Sequence, residues 1–181
     1  MKKTKKIVLA GIFIAMIVIL SRFLSIKLPG YKIGFSYIPV YLSGILLGPV
    51  YTAIVSGLAD VIGSTLFPFG PYFVGYTISA VIKGLIYGAI LHKIYKEELS
   101  NKEIIIRLIV AACLTQLLVN GVLNTLWISI TQDKAFFVIA TGRFIKEAVM
   151  VPIQVITMFV LIKAIKPAIN KFLKDDNKEN D

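Results

Sequence analysis

The sequence predicts an all-α integral membrane protein with six transmembrane helices. Of its 181 residues, 57% are hydrophobic, whereas a soluble domain has roughly 45–50% apolar residues. Its mean hydropathy is +0.81. Apolar runs recur along the chain, and a helix that crosses a bilayer needs about 20 such residues. The first run has no clear cleavage site and further spans follow it, so we expect a retained helix rather than a signal peptide.

The apolar runs define one six-helix domain at 1–170, followed by a polar cytoplasmic tail at 171–181. We predict the helices, in chain order, at 7–25, 34–48, 50–67, 72–91, 104–130 and 142–165. The second is short and contains Pro39, Gly44 and Gly48. Proline and glycine inside a span indicate a kinked or partly buried helix.

The basic residues predict the orientation. With six helices, thirteen of the 20 lysines and arginines fall on the side of the two termini and six on the other, while Lys83 lies inside a helix. Positive residues concentrate on the cytoplasmic side of membrane proteins. We therefore expect a multi-pass protein of the cell membrane with both termini cytoplasmic, and we read the net charge of +10 as topology rather than as nucleic-acid binding.

Cations on the outer side are not needed for this topology. Arg22 ends the first helix, Lys27 and Lys32 lie in the first outer loop, and Arg143 and Lys146 open the last helix. They could snorkel to lipid headgroups. Alternatively, they form a positive mouth that binds an anionic ligand.

Asp60 is an ionisable residue inside the third helix, in the outer half of the membrane. Such a group is costly and usually faces a partner or a cavity. It could pair with an arginine such as Arg22 or Arg143. It could instead accept two parallel N–H bonds from a ligand, a pattern that an aminopyrimidine edge offers.

The fifth helix carries a polar stripe. Gln116, Asn120 and Asn124 are spaced four apart, and Trp127 continues the same face of an α-helix. The amides could bond to neighbouring helices, and the indole could be an interfacial anchor. Together with Asp60, the stripe favours a lined pocket. Arg143 and Glu147 could pair locally four residues apart, and we expect Lys83 to pair or snorkel inward, outside the pocket.

Several chemistries lack their motifs. The chain has no GxxxxGK[ST] loop for ATP hydrolysis. It has one histidine, His92, and one cysteine, Cys113, so we predict no metal site and no cofactor in this chain. In the first helix, Gly11 and Ala15 form a small-xxx-small pair. Such a pair arises by chance or lets a partner helix approach closely.

Three stretches carry a family resemblance: SRF at Ser21–Phe23, KIGFSYIPVYLSGILLGPVY at Lys32–Tyr51, and GLADVIGSTLFPFGPYFVGYTISAVIKGLIYG at Gly57–Gly88. With them, nearly the whole chain resembles the substrate-binding S components of energy-coupling factor (ECF) vitamin transporters, most closely the folate family. The resemblance implies a six-helix bundle that binds a vitamin near the outer face. It also implies docking through the first helix, at Gly11 and Ala15, onto a transmembrane coupling subunit that is bound to two ATPases.

Folate combines an aminopyrimidine edge, aromatic rings and an anionic tail, and our physical assignment follows these parts. Asp60 takes the pterin edge. We expect Trp127 and either Phe67 or Phe69 to stack on the rings. Asn120 and Asn124 would make further polar contacts. The carboxylates face the cations Arg22, Arg143 and Lys146.

Three alternatives remain open from the sequence. The chain could be an S component for another vitamin, such as a different heteroaromatic acid. It could be an intramembrane enzyme, for which Asp60 and Glu147 are the only candidate carboxylate pair. It could also be a structural membrane partner that keeps the docking helix and binds no small molecule.

Overall fold

The helices form one membrane bundle, together with one short hairpin. The structure is a computed structural model, and it describes residues 3–28, 31–68, 70–97 and 99–178. In chain order its elements are α1 (Lys3–Arg22), β1 (Ser25–Leu28), β2 (Tyr31–Gly34), α2 (Tyr37–Leu47), α3 (Pro49–Leu66), α4 (Val74–Leu91), α5 (Lys93–Lys96), α6 (Asn101–Cys113), a π-helix (Leu114–Leu123), α7 (Asn124–Gln132) and α8 (Phe136–Lys178). The predicted all-α membrane fold is confirmed.

All six predicted helices are present, but they differ in length. Five helical segments are long and apolar enough to cross a membrane: α1, α3, α4, the continuous segment Asn101–Gln132, and α8 as far as Pro167. The second predicted helix, α2, has 11 residues and spans about 16 Å, roughly half of a bilayer core. Its neighbours cover it, and Tyr41 and Ile45 are almost fully buried.

The first predicted loop is ordered as a β-hairpin, which the sequence interpretation missed. Strands β1 and β2 pair antiparallel, with Ser25 opposite Gly34. The first helix therefore ends at Arg22 rather than at residue 25. The short strands flank Pro29 and Gly30 in the sequence, a dipeptide typical of tight turns. Each strand has only four residues. The apolar pattern of the neighbouring helices is much longer, so the sequence predicts helix or loop at these positions.

Two buried clusters hold the bundle together. One joins α2, α4, α6 and α8 through side chains that include Tyr41, Tyr87 and Leu108. The other packs Phe13 of α1 against Val55 of α3. Many large apolar residues on the outer faces of the helices are exposed, as expected for surfaces that contact lipid tails rather than water.

Glycines bring the backbones of α2, α3 and α4 into contact. A Cβ at Gly84 would lie 2.5 Å from the Thr52 carbonyl oxygen, and one at Gly88 would overlap the backbone of Pro49. A single residue, Gly48, separates α2 from α3. Its φ of 80° lies in a region that residues other than glycine rarely adopt. These three helices therefore form one closely packed unit.

We expect Gly88→Ala to destabilise the protein by about 1–3 kcal/mol, because the added methyl meets the Pro49 backbone rather than a flexible side chain. The matched control is Gly11→Ala, since a Cβ at Gly11 has no atom within 4 Å and alanine favours a helix. Thermal unfolding of both variants in detergent measures the effect. Equal melting temperatures for the two variants would contradict the packing argument.

Candidate functional site

A polar cavity of about 310 Å³ lies inside the bundle. Such a volume is at the lower end of the range for small-molecule sites. One wall comes from α1 to α4 and the hairpin, and the other from the π-helix, α7 and α8. The lining side chains that can carry a charge are Arg22, Asp60, Lys83, Arg143, Lys146 and Glu147. Four cations against two carboxylates give the lining a formal charge of +2.

Asp60 and Arg22 lie on the α1–α4 wall of the cavity. Asp60 Oδ2 accepts a hydrogen bond of 2.8 Å from the Thr77 hydroxyl of α4. Arg22 reaches across α3 and donates from Nη1 to the Phe67 carbonyl oxygen at 3.4 Å. Gly63 makes this reach feasible, because a Cβ there would lie 2.7 Å from Arg22 Nε. A guanidinium and a carboxylate thus share one wall of the cavity.

The polar stripe forms a ladder of side-chain amides on the opposite wall. Asn120 donates to Gln116 Oε1 at 2.6 Å, and Asn124 donates to Asn120 Oδ1 at 2.9 Å. The same Asn120 oxygen accepts from Lys83 Nζ of α4 at 3.2 Å. Lys83 lines the cavity, so our expectation that it lies outside the pocket is wrong. The ammonium group donates to a side-chain oxygen of another helix. A single sequence does not reveal such a contact between helices.

Glu147 is the most buried charged group of the cavity, with no exposed surface. Its Oε2 accepts from Gln116 at 3.0 Å and its Oε1 from Lys146 at 2.9 Å. Arg143 lies 3.9 Å from Oε1 and donates to the Thr125 hydroxyl at 3.0 Å. The sequence suggested only a local Arg143–Glu147 pair, whereas the structure adds the amide of another helix. Glu147 therefore fixes the positions of both cations.

Trp127 does not line the cavity. Its indole donates to Ser79 at 3.0 Å and packs on Phe73 with ring centroids 5.7 Å apart. The π-helix explains the difference from the sequence interpretation, which assumed an α-helix from Gln116 onward. Bonds from residue i to i+5 turn the chain less per residue than α-helical bonds, so the face that Trp127 occupies is shifted from that of the amides.

The remaining predicted site residues have separate positions. Phe67 ends α3, packs edge-to-face on Phe23 at 5.0 Å and is not part of the lining. Phe69 lies outside the described residues, as do the side chains of Lys27 and Lys32. Their roles stay predictions. The described residues contain no cluster of three histidine, cysteine or acidic side chains that could hold a metal.

A family model described as "ECF-type riboflavin transporter, S component" matches residues 1–167. The chain belongs to this S-component family. The resemblance predicted from the sequence is thereby confirmed, and the chain is a multi-pass membrane protein of a family of transport subunits rather than enzymes.

The family model is named for riboflavin, whereas similar proteins are named for folate. The chain is similar to the "Folate transporter FolT" of Clostridium novyi, at 38% identity over 88% of each chain. It is also similar to the "Folate transporter FolT" of Leuconostoc mesenteroides, at 32% identity over 87% of this chain and 85% of that one. The solved structure "Crystal structure of FolT bound with folic acid" matches with a TM-score of 0.77 and 38% identity, over 87% of this chain and 92% of the other.

We expect Glu147→Gln to destabilise this S component by about 3 kcal/mol, because the change leaves the partly buried cations Arg143 and Lys146 without the counter-charge of a buried carboxylate. Thermal unfolding of the ligand-free protein measures the loss. The matched control is Glu97→Gln, which removes an exposed ion pair of 3.9 Å with Lys93 and should change stability by less than about 0.5 kcal/mol. Similar melting temperatures for both variants would contradict the assigned role of Glu147.

Proposed function

We propose that this chain is the folate-binding S component of an ATP-driven ECF transporter, and that it captures folate at the outer face. The proposal rests on the cavity lining. The lining includes the carboxylate of Asp60, and its charged side chains together have a formal net charge of +2. Folate has a donor edge on its pterin and two carboxylates on its glutamate tail. Charge and hydrogen-bonding pattern therefore match at both ends of the ligand.

The contacts of each lining group support a division of roles. Oδ2 of Asp60 accepts one hydrogen bond from Thr77, and a carboxylate offers about four lone-pair sites, so Asp60 has acceptor capacity for the pterin edge. We assign the tail carboxylates to Arg22, Arg143 and Lys146, and additional polar contacts to Asn120 and Asn124. The cavity gives less support to stacking by Phe67 or Trp127, since neither lines it. That role, and the same role for Phe69, stays a prediction.

Riboflavin is the second candidate, because the matching family model is named for it. Its isoalloxazine ring also has a hydrogen-bonding edge that a carboxylate could contact. Its ribityl chain, however, is neutral, so four cations around two carboxylates would remain without an added counter-charge. The lining charge therefore favours a dianionic ligand.

The partners that we propose are those that the family implies. We propose that α1 docks on a transmembrane coupling subunit, which two ATPase subunits energise, and that both termini are cytoplasmic. The face of α1 that contains Gly11 and Ala15 is exposed, and a Cβ at Gly11 would meet no atom within 4 Å. A flat small-residue surface of this kind fits close contact with another helix. The vitamin would be released inside after docking.

Calorimetric titration of the purified, detergent-solubilised chain tests the function with folic acid, pteroic acid and riboflavin. We expect saturable 1:1 binding of folic acid in the nanomolar range. Pteroic acid, which lacks the glutamate tail, should bind at least about 10-fold more weakly, and riboflavin should not bind. Binding of riboflavin without folic acid would overturn the folate assignment. Calorimetry is preferable to tryptophan fluorescence, because Trp127 lies outside the cavity lining.

Asp60→Asn should weaken folic acid binding about 10- to 100-fold, the usual cost of losing hydrogen bonds to a charged group. The ligand-free melting temperature should change little. The matched control is Asp133→Asn, since Asp133 is exposed and has a left-handed conformation that asparagine accepts. A lower melting temperature with unchanged folate affinity would instead identify Asp60 as a structural ion-pair partner.

A further inference from the structure

Two hydroxyls in the cavity wall are buried without a hydrogen-bond partner. They belong to Tyr37 at the start of α2 and Ser56 in the middle of α3, whose exposed fractions are 8% and 5%. Both residues line the cavity. The amide oxygen of Asn124, a lining residue already assigned to the ligand, is in the same condition. Buried polar atoms without partners are rare in folded proteins and need a specific explanation.

Other buried hydroxyls of the described chain show how such groups are normally satisfied. Thr52 bonds back to the Gly48 carbonyl at 2.7 Å, and Ser43 to the Val40 carbonyl at 2.8 Å. The Tyr87 hydroxyl pairs with Thr115 at 2.7 Å. A serine inside a helix usually has such a carbonyl within reach. Ser56 makes no such bond, so its hydroxyl remains available to whatever occupies the cavity.

Tyr37 and Ser56 share the α1–α4 wall of the cavity with Asp60. Ser56 precedes Asp60 by four residues on α3, so both side chains project from one helix face. Asp60 accepts hydrogen bonds only, whereas a hydroxyl can donate and accept. The wall thus presents both hydrogen-bond donors and acceptors. Its complement is a heteroaromatic edge that has N–H groups together with carbonyl or ring-nitrogen acceptors.

We propose that the hydroxyls of Tyr37 and Ser56 contact the ligand directly and, with Asp60, determine which heteroaromatic edge this S component accepts. The proposal rests on the proposed folate function. The ligand would supply hydrogen-bond partners for the two hydroxyls. Ligand contact thus explains together why the two hydroxyls are buried, why they lack partners and why they occur on the cavity wall.

The experiment compares Tyr37→Phe and Ser56→Ala with wild type in two measurements, folic acid affinity and the melting temperature of the ligand-free protein. Removing a hydroxyl that contacts the ligand should raise the Kd about 3- to 10-fold. Removing a buried hydroxyl that has no partner should leave the melting temperature unchanged or raise it, since its desolvation cost disappears. The combination of weaker binding and retained stability is the expected result for each variant.

Matched controls separate ligand contact from general effects of the substitutions. Ser43→Ala removes a buried hydroxyl that bonds within the protein, and Tyr51→Phe changes a tyrosine outside the cavity lining. Both should retain the wild-type Kd. If wild type binds folic acid and Tyr37→Phe and Ser56→Ala bind it within twofold of wild type, this inference is overturned while the folate function stands. If wild type does not bind folic acid, the proposed function fails and the inference fails with it.

Discussion

The arrangement of the site depends on the cost of a charge inside a membrane bundle. Glu147 is fully buried, and a carboxylate in such a position is stable only with donors and counter-charges around it. Gln116, Lys146 and Arg143 supply them from two helices. Because each of these donors must itself stay near the carboxylate, the polar groups of the helices collect in one place. The contacts of Glu147 thus hold the amide of Gln116 and the cations Arg143 and Lys146 together in one wall of the cavity.

The sequence predicted the helices well because their signal is local. Long apolar runs, and the prolines and glycines that interrupt them, are sufficient to locate a membrane helix within a few residues. Asp60 and Arg22 were identified as site residues for a similar reason, since a charge inside or at the end of an apolar run is conspicuous. Both line the cavity.

What the sequence could not supply depends on contacts between helices or on helix geometry. The sequence predicts Lys83 outside the pocket, whereas in the structure its ammonium group donates to the side-chain oxygen of Asn120 on a neighbouring helix. Trp127 was placed on the amide face by counting α-helical turns, which the π-helix between Leu114 and Leu123 invalidates. The unsatisfied hydroxyls of Tyr37 and Ser56 are visible only as atoms without partners, and a sequence contains no information about that.

The division of the lining between two groups of helices has a mechanical consequence. Helices α2, α3 and α4 are joined through glycine contacts between their backbones, and they carry Asp60 and Lys83. The π-helix, α7 and α8 carry the amides, Arg143 and Lys146. A ligand that spans the cavity therefore adds contacts between the two groups of helices, beyond the bond from Lys83 to Asn120. Occupancy of the site would then control how stiffly the two halves move together, so that an S component with cargo is a more rigid body than an empty one.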